Sequence, residues 1–464
     1  MNRRDGRFIF IACCICLSSF FLFPSLLYAA NNSGWYHSTK PDPFSGSIML
    51  KYLMRQNLET SETYSRLFQS TNLTVKPESL ETIYFFVSGD IYANLNRHAN
   101  ENEGSIMDSY DDTDAFLYEA YACLNNTLPS LDIKMGRQYV TYQFSTHMDG
   151  LSTEYHFSDH KGLLYAYLGQ SVDLYQFETW TDSTQAGTGL TYLLGDKAEL
   201  CMEYLYIHEK TDNSDTLITP DENFHQASFS LKGFWDTGTI GATLKTFDND
   251  MESARLRASF VPGAFENLDI TASYYYQFID ISQRASALSP FITLLGPVKP
   301  YQQVSFQIIK GFDGPNIVIA GGGDWRDLID ANTDSAFNHS FVHGYLSMEK
   351  SEFLFTDLSL TVQGDIWQSK TDTPDSANGD DRIVSGGGEL DYQWNEKSTL
   401  GLGSYYSLYK YDYYSDLNEK TDVYTLFTKI KYLPTDSIRL NAEYQLDIYD
   451  IHEHSVRLST EWQF

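Results

Sequence analysis

The sequence predicts an all-β chain, a single closed antiparallel transmembrane β-barrel of about 22 strands, within a range of roughly 16 to 22. Three features carry that prediction. Apolar and polar residues alternate with a period of two through most of the chain. Short turns alternate with long polar loops. No apolar run long enough for a membrane helix follows the N-terminal one.

The alternation is clearest at 437–448, where Ile438, Leu440, Ala442, Tyr444, Leu446 and Ile448 interleave with Arg439, Asn441, Glu443, Gln445 and Asp447. Successive side chains of an extended chain point to opposite faces, so one face here is oily and the other polar. One such strand also suits a soluble sandwich. Repetition in stretches of about ten residues, the length of a tilted membrane-crossing strand, separates the two. Leu200, Met202, Tyr204 and Tyr206 form one row, and Ile270, Ala272, Tyr274, Tyr276 and Phe278 another. Ala254, Leu256, Ala258 and Phe260 oppose Arg255, Arg257 and Ser259. Leu360, Val362, Gly364 and Ile366 oppose Ser359, Thr361, Gln363 and Asp365, and 384–394 sets Ser385, Glu389, Asp391 and Gln393 on its polar side. Charges packed against a second sheet would be costly, whereas a wet lumen accepts them.

Short turns fall at Leu128-Pro129, Gly195-Asp196-Lys197, Asp236-Thr237, Pro262-Gly263, Asp313-Gly314-Pro315, Asn395-Glu396-Lys397 and Pro434-Thr435-Asp436. Longer polar loops fall at 96–114, 209–223, 280–300, 326–338 and 370–381. Short turns on one rim and long loops on the other place the turns and both termini in the periplasm and the loops outside.

Residues 1–29 read as a signal peptide. Arg3, Arg4 and Arg7 precede an apolar run from Phe8 to Phe23, and Leu27-Tyr28-Ala29 fits a small-residue cleavage site. The run is short for a retained anchor. Phe10-Ile11-Ala12-Cys13 faintly resembles a lipobox, but cleavage there would leave an apolar tail. Residues 30–46 then form a periplasmic lead-in and 47–464 the barrel. A net charge of −30 argues against nucleic acid, whose phosphates demand a basic face. It suits acidic surface loops. The 34 Tyr, 29 Phe and 7 Trp match the aromatic belts at membrane–water boundaries. Cys13, Cys14 and Cys16 leave with the leader. Cys123 and Cys201 remain and are expected unpaired, although an oxidising periplasm permits a disulfide.

The chain ends with Val456, Leu458, Thr460, Trp462 and Phe464 on one face and Arg457, Ser459, Glu461 and Gln463 on the other. A final Phe464 with Trp462 two residues before it resembles the recognition signal of barrels inserted by the outer-membrane assembly machinery. Leu117-Tyr118-Glu119-Ala120-Tyr121, followed by 131–138 with its Met135-Gly136-Arg137-Gln138, resembles a strand pair of Gram-negative outer-membrane porins and alginate-export-type barrels. That resemblance implies a lumenal role for Arg137 and makes Asp149-Gly150 the end of an adjacent extracellular loop. Strict alternation, however, puts Arg137 on the face of Ile133 and Met135. A lumenal Arg137 therefore needs a bulge or a place above the hydrocarbon, and an interfacial arginine snorkelling to headgroups is the alternative.

Catalytic patterns are weak. Asn338-His339-Ser340 holds the residue types of a hydrolase site, but adjacent strand residues point apart. His147-Met148-Asp149 and His208 are loop candidates with no telling spacing. His452-Glu453-His454, expected in a short external loop, puts two imidazoles at i and i+2 and reads mainly as a solvated turn. The acidic run 108–114 lacks the Gly and Glu of a calcium loop and reads as a solvated loop, tied to lipopolysaccharide through divalent ions. No Cys-x-x-Cys-His occurs, so no haem attaches. Gly321-Gly322-Gly323 and Gly386-Gly387-Gly388 lie in strand patterns, where glycine relieves crowding.

The sequence thus points to a cofactor-free, non-enzymatic pore in the outer membrane of a Gram-negative bacterium, passing small hydrophilic solutes. Candidate lining residues are Arg137, Arg255, Arg257, Asp365, Glu389, Asp391, Arg439, Glu443, Asp447, Arg457 and Glu461. Both signs occur, so no ion preference follows. Expected partners are outer-membrane lipid, lipopolysaccharide and the barrel-assembly machinery. The alternative is a barrel sheath around a multihaem cytochrome; a barrel enzyme is a lesser reading.

Overall fold

The computed structural model describes residues 43–464 apart from 62, 78–79, 81, 96–112, 159–160, 173–178, 210–221, 264, 266, 281–298, 330–339, 371–381, 409–421 and 450–451. The expected signal peptide, most of the lead-in, Asn338-His339, the run 108–112 and most of the long loops lie outside the described residues.

Alternation is realised as strands throughout. The first eight are β1 (Phe44–Asn57), β2 (Thr63–Val75), β3 (Ile83–Asn94), β4 (Thr113–Leu128), β5 (Leu131–Thr141), β6 (Ser145–Phe157), β7 (Gly162–Val172) and β8 (Thr179–Leu194). Seven follow: β9 (Ala198–Glu209), β10 (Glu222–Trp235), β11 (Gly238–Phe247), β12 (Asp250–Phe260), β13 (Leu268–Gln277), β14 (Tyr301–Phe312) and β15 (Ile317–Leu328). The last are β16 (Ser340–Lys350), β17 (Leu358–Lys370), β18 (Arg382–Asn395), β19 (Ser398–Leu408), β20 (Asp422–Thr435), β21 (Ile438–Ile448) and β22 (His452–Gln463). Each pairs antiparallel with its sequence neighbours, and β1 pairs with β22, so the 22-stranded sheet closes on itself. Closure removes the free sheet edge along most of the seam-to-seam circuit, the condition for spanning hydrocarbon with strands; the exception is β4 beyond Ala120, which has no β5 partner.

β1 opens at Phe44, so the barrel begins inside the segment assigned to the lead-in. The chain end seals the seam: Gly46 N donates to Phe464 O at 2.9 Å and Phe464 N to Gly46 O at 3.1 Å. The Trp462 and Phe464 rings pack 4.9 Å apart. Turns as short as two residues, at 129–130, 236–237, 396–397 and 436–437, share one rim with both ends of the sheet. The opposite rim carries the long connections, including 95–112, 210–221, 278–300 and 409–421, together with the short turns 142–144 and 248–249.

Register separates two faces. Leu346 is 61% exposed and Leu402 60%, each in mid-strand, with Ile240, Leu256, Phe306, Ile430 and Leu458 also exposed on the same outer surface. An outward apolar row of this kind is the pattern of a barrel that faces lipid. The polar partners point inward. His452-Glu453-His454 is the start of β22 rather than a loop; His454 Nε2 meets Gln56 Oε1 at 2.8 Å. Cys123 and Cys201 are buried, free thiols.

Candidate functional site

The inner face is built by cross-strand neighbours, and register puts ten of the sequence-derived lining candidates on it. Between β18 and β22 they form an ion-pair lattice. Lys429 of β20 reaches Glu389, and Asp391 at 3.7 Å, both on β18. It crosses β19 where Gly401 has no side chain; a Cβ there would lie 2.7 Å from Asp391 Oδ1. Arg457 Nη1 donates to Glu443 Oε1 at 2.9 Å, and Arg439 Nη1 to Glu461 Oε2 at 3.4 Å. Asp447 accepts from Thr425 Oγ1 at 2.6 Å and Gln445 Nε2 at 2.9 Å. Asp365 accepts from Ser385 Oγ. Arg255 and Arg257 sit on the inner row of β12, paired across to Tyr275 and Ser273 of β13. Among the described residues these two arginines make no ion pair or hydrogen bond.

The eleventh candidate, Arg137, belongs to a different device. Gly136 of β5, Gly150 of β6 and Gly169 of β7 stand side by side in register. Gly136 has φ +131°, a conformation that residues with a side chain rarely adopt. Sheets bend sharply at such glycine lines, and here the β5–β6 hairpin beyond the line turns into the lumen. Pairing of β5 with β4 runs from Leu128–Leu131, through an irregularity, only to Ala120–Arg137, while its pairing with β6 runs on to Thr141–Ser145.

The hairpin tip lands on the inner row of β7 and β9–β11. Gln143 N and Phe144 N donate to Glu203 Oε2 at 2.7 and 3.0 Å, and Tyr167 Oη donates to Glu203 Oε1 at 2.7 Å. Lys245 Nζ donates to Gln143 O at 3.0 Å. The Tyr142 ring stacks on Tyr165 with centroids 3.5 Å apart, and its hydroxyl donates to Glu154 Oε1 at 2.8 Å. Val140, Phe144 and Met148 pack with Leu205, Ile207, Phe224 and Phe247 in an apolar cluster, Leu205 being 0% exposed. A buried carboxylate is tolerated here because three donors converge on it.

At the fold line Arg137 Nε and Nη2 donate to Asp149 Oδ1 and Oδ2, both at 2.8 Å, and Nη1 to Leu117 O at 3.2 Å. His147 Nε2 meets Tyr118 O at 2.6 Å, its ring stacked on Tyr139 at 4.0 Å. The expectations around this segment therefore need correcting. Arg137 keeps the register of Met135 and is tied into the hairpin base, and Asp149-Gly150 and His147 lie inside β6 rather than in a loop. His208 is likewise in β9, with Nδ1 2.9 Å from Asn223 Oδ1. Ser340 opens β16, where its hydroxyl accepts from Leu328 N at 3.0 Å.

Glu203, Lys245 and the tip 142–144 escaped the sequence reading. Their signal was present: Leu205 and Ile207 are apolar on the face opposite Met202, Tyr204 and Tyr206, so β9 is oily on both sides. An inward apolar row has to be covered.

The wall from β12 to β16 carries a cavity of about 310 Å³ lined by Arg255, Arg257, Ser273, Tyr275, Gln303 and Tyr345, among others. A separate group, Asp132, Glu154 and His156, brings its possible metal-ligand atoms within 4.8 Å of one another. Lys134 Nζ lies 3.6 Å from Glu154, so that carboxylate already has a cation.

No family model matches the chain, and no curated protein matches it in sequence. Solved structures do match in fold. The siderophore receptor PirA from Pseudomonas aeruginosa aligns over 92% of this chain and 81% of its own, with TM-score 0.57 and 13% identity. A ferric enterobactin receptor (PfeA) mutant from the same organism, in complex with enterobactin, aligns over 92% and 82%, with TM-score 0.56 and 10% identity. The translocation pore of the P pilus usher PapC aligns over 90% and 99%, with TM-score 0.52 and 8% identity. The chain shares the fold of these β-barrels.

Proposed function

We propose that this protein is an outer-membrane pore of a Gram-negative bacterium that passes small hydrophilic solutes by passive diffusion. The observation that carries the reading is the inward β5–β6 hairpin: it fills one side of a polar lumen by its own chain, and among the described residues no separate domain occupies the rest. A barrel of 22 strands is wide, and a constriction built from the wall sets a size limit without closing it. In this reading both termini and the short turns face the periplasm, the long loops face lipopolysaccharide, and the terminal strand with Trp462 and Phe464 is read by the assembly machinery. No catalytic role is assigned to any residue.

Planar-bilayer recording of the purified protein across a salt and solute series tests this. Discrete channel steps, with conductance falling as larger neutral solutes enter, are expected. A folded, heat-modifiable barrel that never conducts overturns the reading.

A further inference from the structure

Resting on the pore reading, we propose that the inner wall of β12–β16 is a binding subsite for a small oxyanion of about monosaccharide size, held by Arg255 and Arg257. The two guanidiniums project from alternate residues of one strand onto one cavity, roughly 7 Å apart along the chain. Elsewhere on the inner face, between β18 and β22, the arginines are spent on carboxylates: Arg439 on Glu461 and Arg457 on Glu443. Arg255 and Arg257 carry no such partner among the described residues, and both are exposed to the lumen. In a chain of net charge −30, two arginines without a carboxylate partner put concentrated positive charge on this stretch of the inner wall.

The rest of the cavity supplies what an oxyanion's body needs. Arg255 lies over the Tyr275 ring at 5.2 Å, which orients its fork and leaves its N–H groups unspent. Hydroxyls of Thr271, Ser273, Ser305 and Tyr345 and the amide of Gln307 line the wall. The one lining carboxylate, Asp324, is turned to other donors: His343 Nδ1 at 3.0 Å and Gln303 Nε2 at 3.3 Å. Next along the wall, Arg326 lies 3.8 Å above the Tyr301 ring, and its Nε and Nη2 find no acceptor among the described residues. A volume of about 310 Å³ suits a ligand the size of a single sugar ring. Guanidinium forks accept phosphate and carboxylate alike, so the shared chemistry is the oxyanion, and the test separates its sources.

The test uses full-length protein in a bilayer with inorganic phosphate, glucose 6-phosphate, gluconate and glucose as probes. In the wild type, the anionic probes are expected to block the current in a saturable way and neutral glucose to do so far more weakly. R255Q/R257Q is expected to raise the half-blocking concentration about tenfold or more while still conducting chloride salts. R255K/R257K, which keeps the charge and loses the fork, falls between. Block by both phosphates but not gluconate assigns a phosphate site; block by gluconate too assigns a general oxyanion site. Equal block in wild type and R255Q/R257Q, or no block by any anion in a conducting wild type, overturns the subsite while leaving the pore intact. Should the protein not conduct, calorimetric titration of the same probes into the detergent-folded barrel decides the subsite separately: saturable heat lost in R255Q/R257Q supports it, and no heat overturns it.

Discussion

Arg137 and Asp149 face each other across β5 and β6 in a two-pronged ion pair, both contacts 2.8 Å, one step beyond the row Gly136–Gly150–Gly169. The glycines let the sheet fold and the pair locks the fold. With the Arg137 side chain only 14% exposed, removing it takes both guanidinium donors from Asp149. Arg137→Gln is expected to destabilise the hairpin by about 1–3 kcal/mol, seen as noisier open-channel current, and adding Asp149→Asn is expected to recover part of the loss.

Glu203 holds the tip through two backbone N–H groups and the Tyr167 hydroxyl. Glu203→Ala removes the acceptor that the tip lands on. Single-channel conductance is expected to rise, with larger neutral solutes admitted; an unchanged size cut-off would count against the hairpin as the constriction.

The two faces differ in what they tolerate. Leu402→Arg, in the exposed outer row of β19, is expected to cost about 2–4 kcal/mol in urea unfolding from lipid vesicles, as for a cation near the bilayer midplane. Ser347→Arg, on the inner row beside Ala320 and Gln363, is expected to cost far less.

Gly401→Val places carbon where Lys429 passes to Asp391 and Glu389. Either the lysine retracts or β19 shifts, and both leave carboxylates unmatched. The expected readout is greater cation selectivity, measured as a shift in reversal potential under a salt gradient.

Trp462 and Phe464 close the seam against β1. Phe464→Ala is expected to lower the heat-modifiable fraction recovered from membranes, with the barrel that does form conducting normally.

How much of this was legible beforehand differs by feature. The inner and outer rows of β12, β17, β18 and β21 follow from period-two alternation, because in a closed sheet one face meets lipid and the other water. The strand count followed from turn chemistry, since each two-residue turn forces a reversal. Arg255, Arg257 and Glu443 could therefore be put on the inner face from sequence. Their difference could not: Arg457 finds Glu443 on the adjacent strand, while Arg255 finds only a tyrosine ring there.

Sequence by itself determined the closed barrel and which residues look inward, because those depend on local periodicity and nearest-neighbour pairing. Only the tertiary structure decided that 138–147 leave the wall and that the hairpin tip docks on Glu203 and Lys245. That contact joins residues up to 102 apart in the chain, and it depends on a bend at three glycines that only register brings into line. Long-range apposition of this kind leaves no periodic trace, and the doubly apolar β9 was its one local sign.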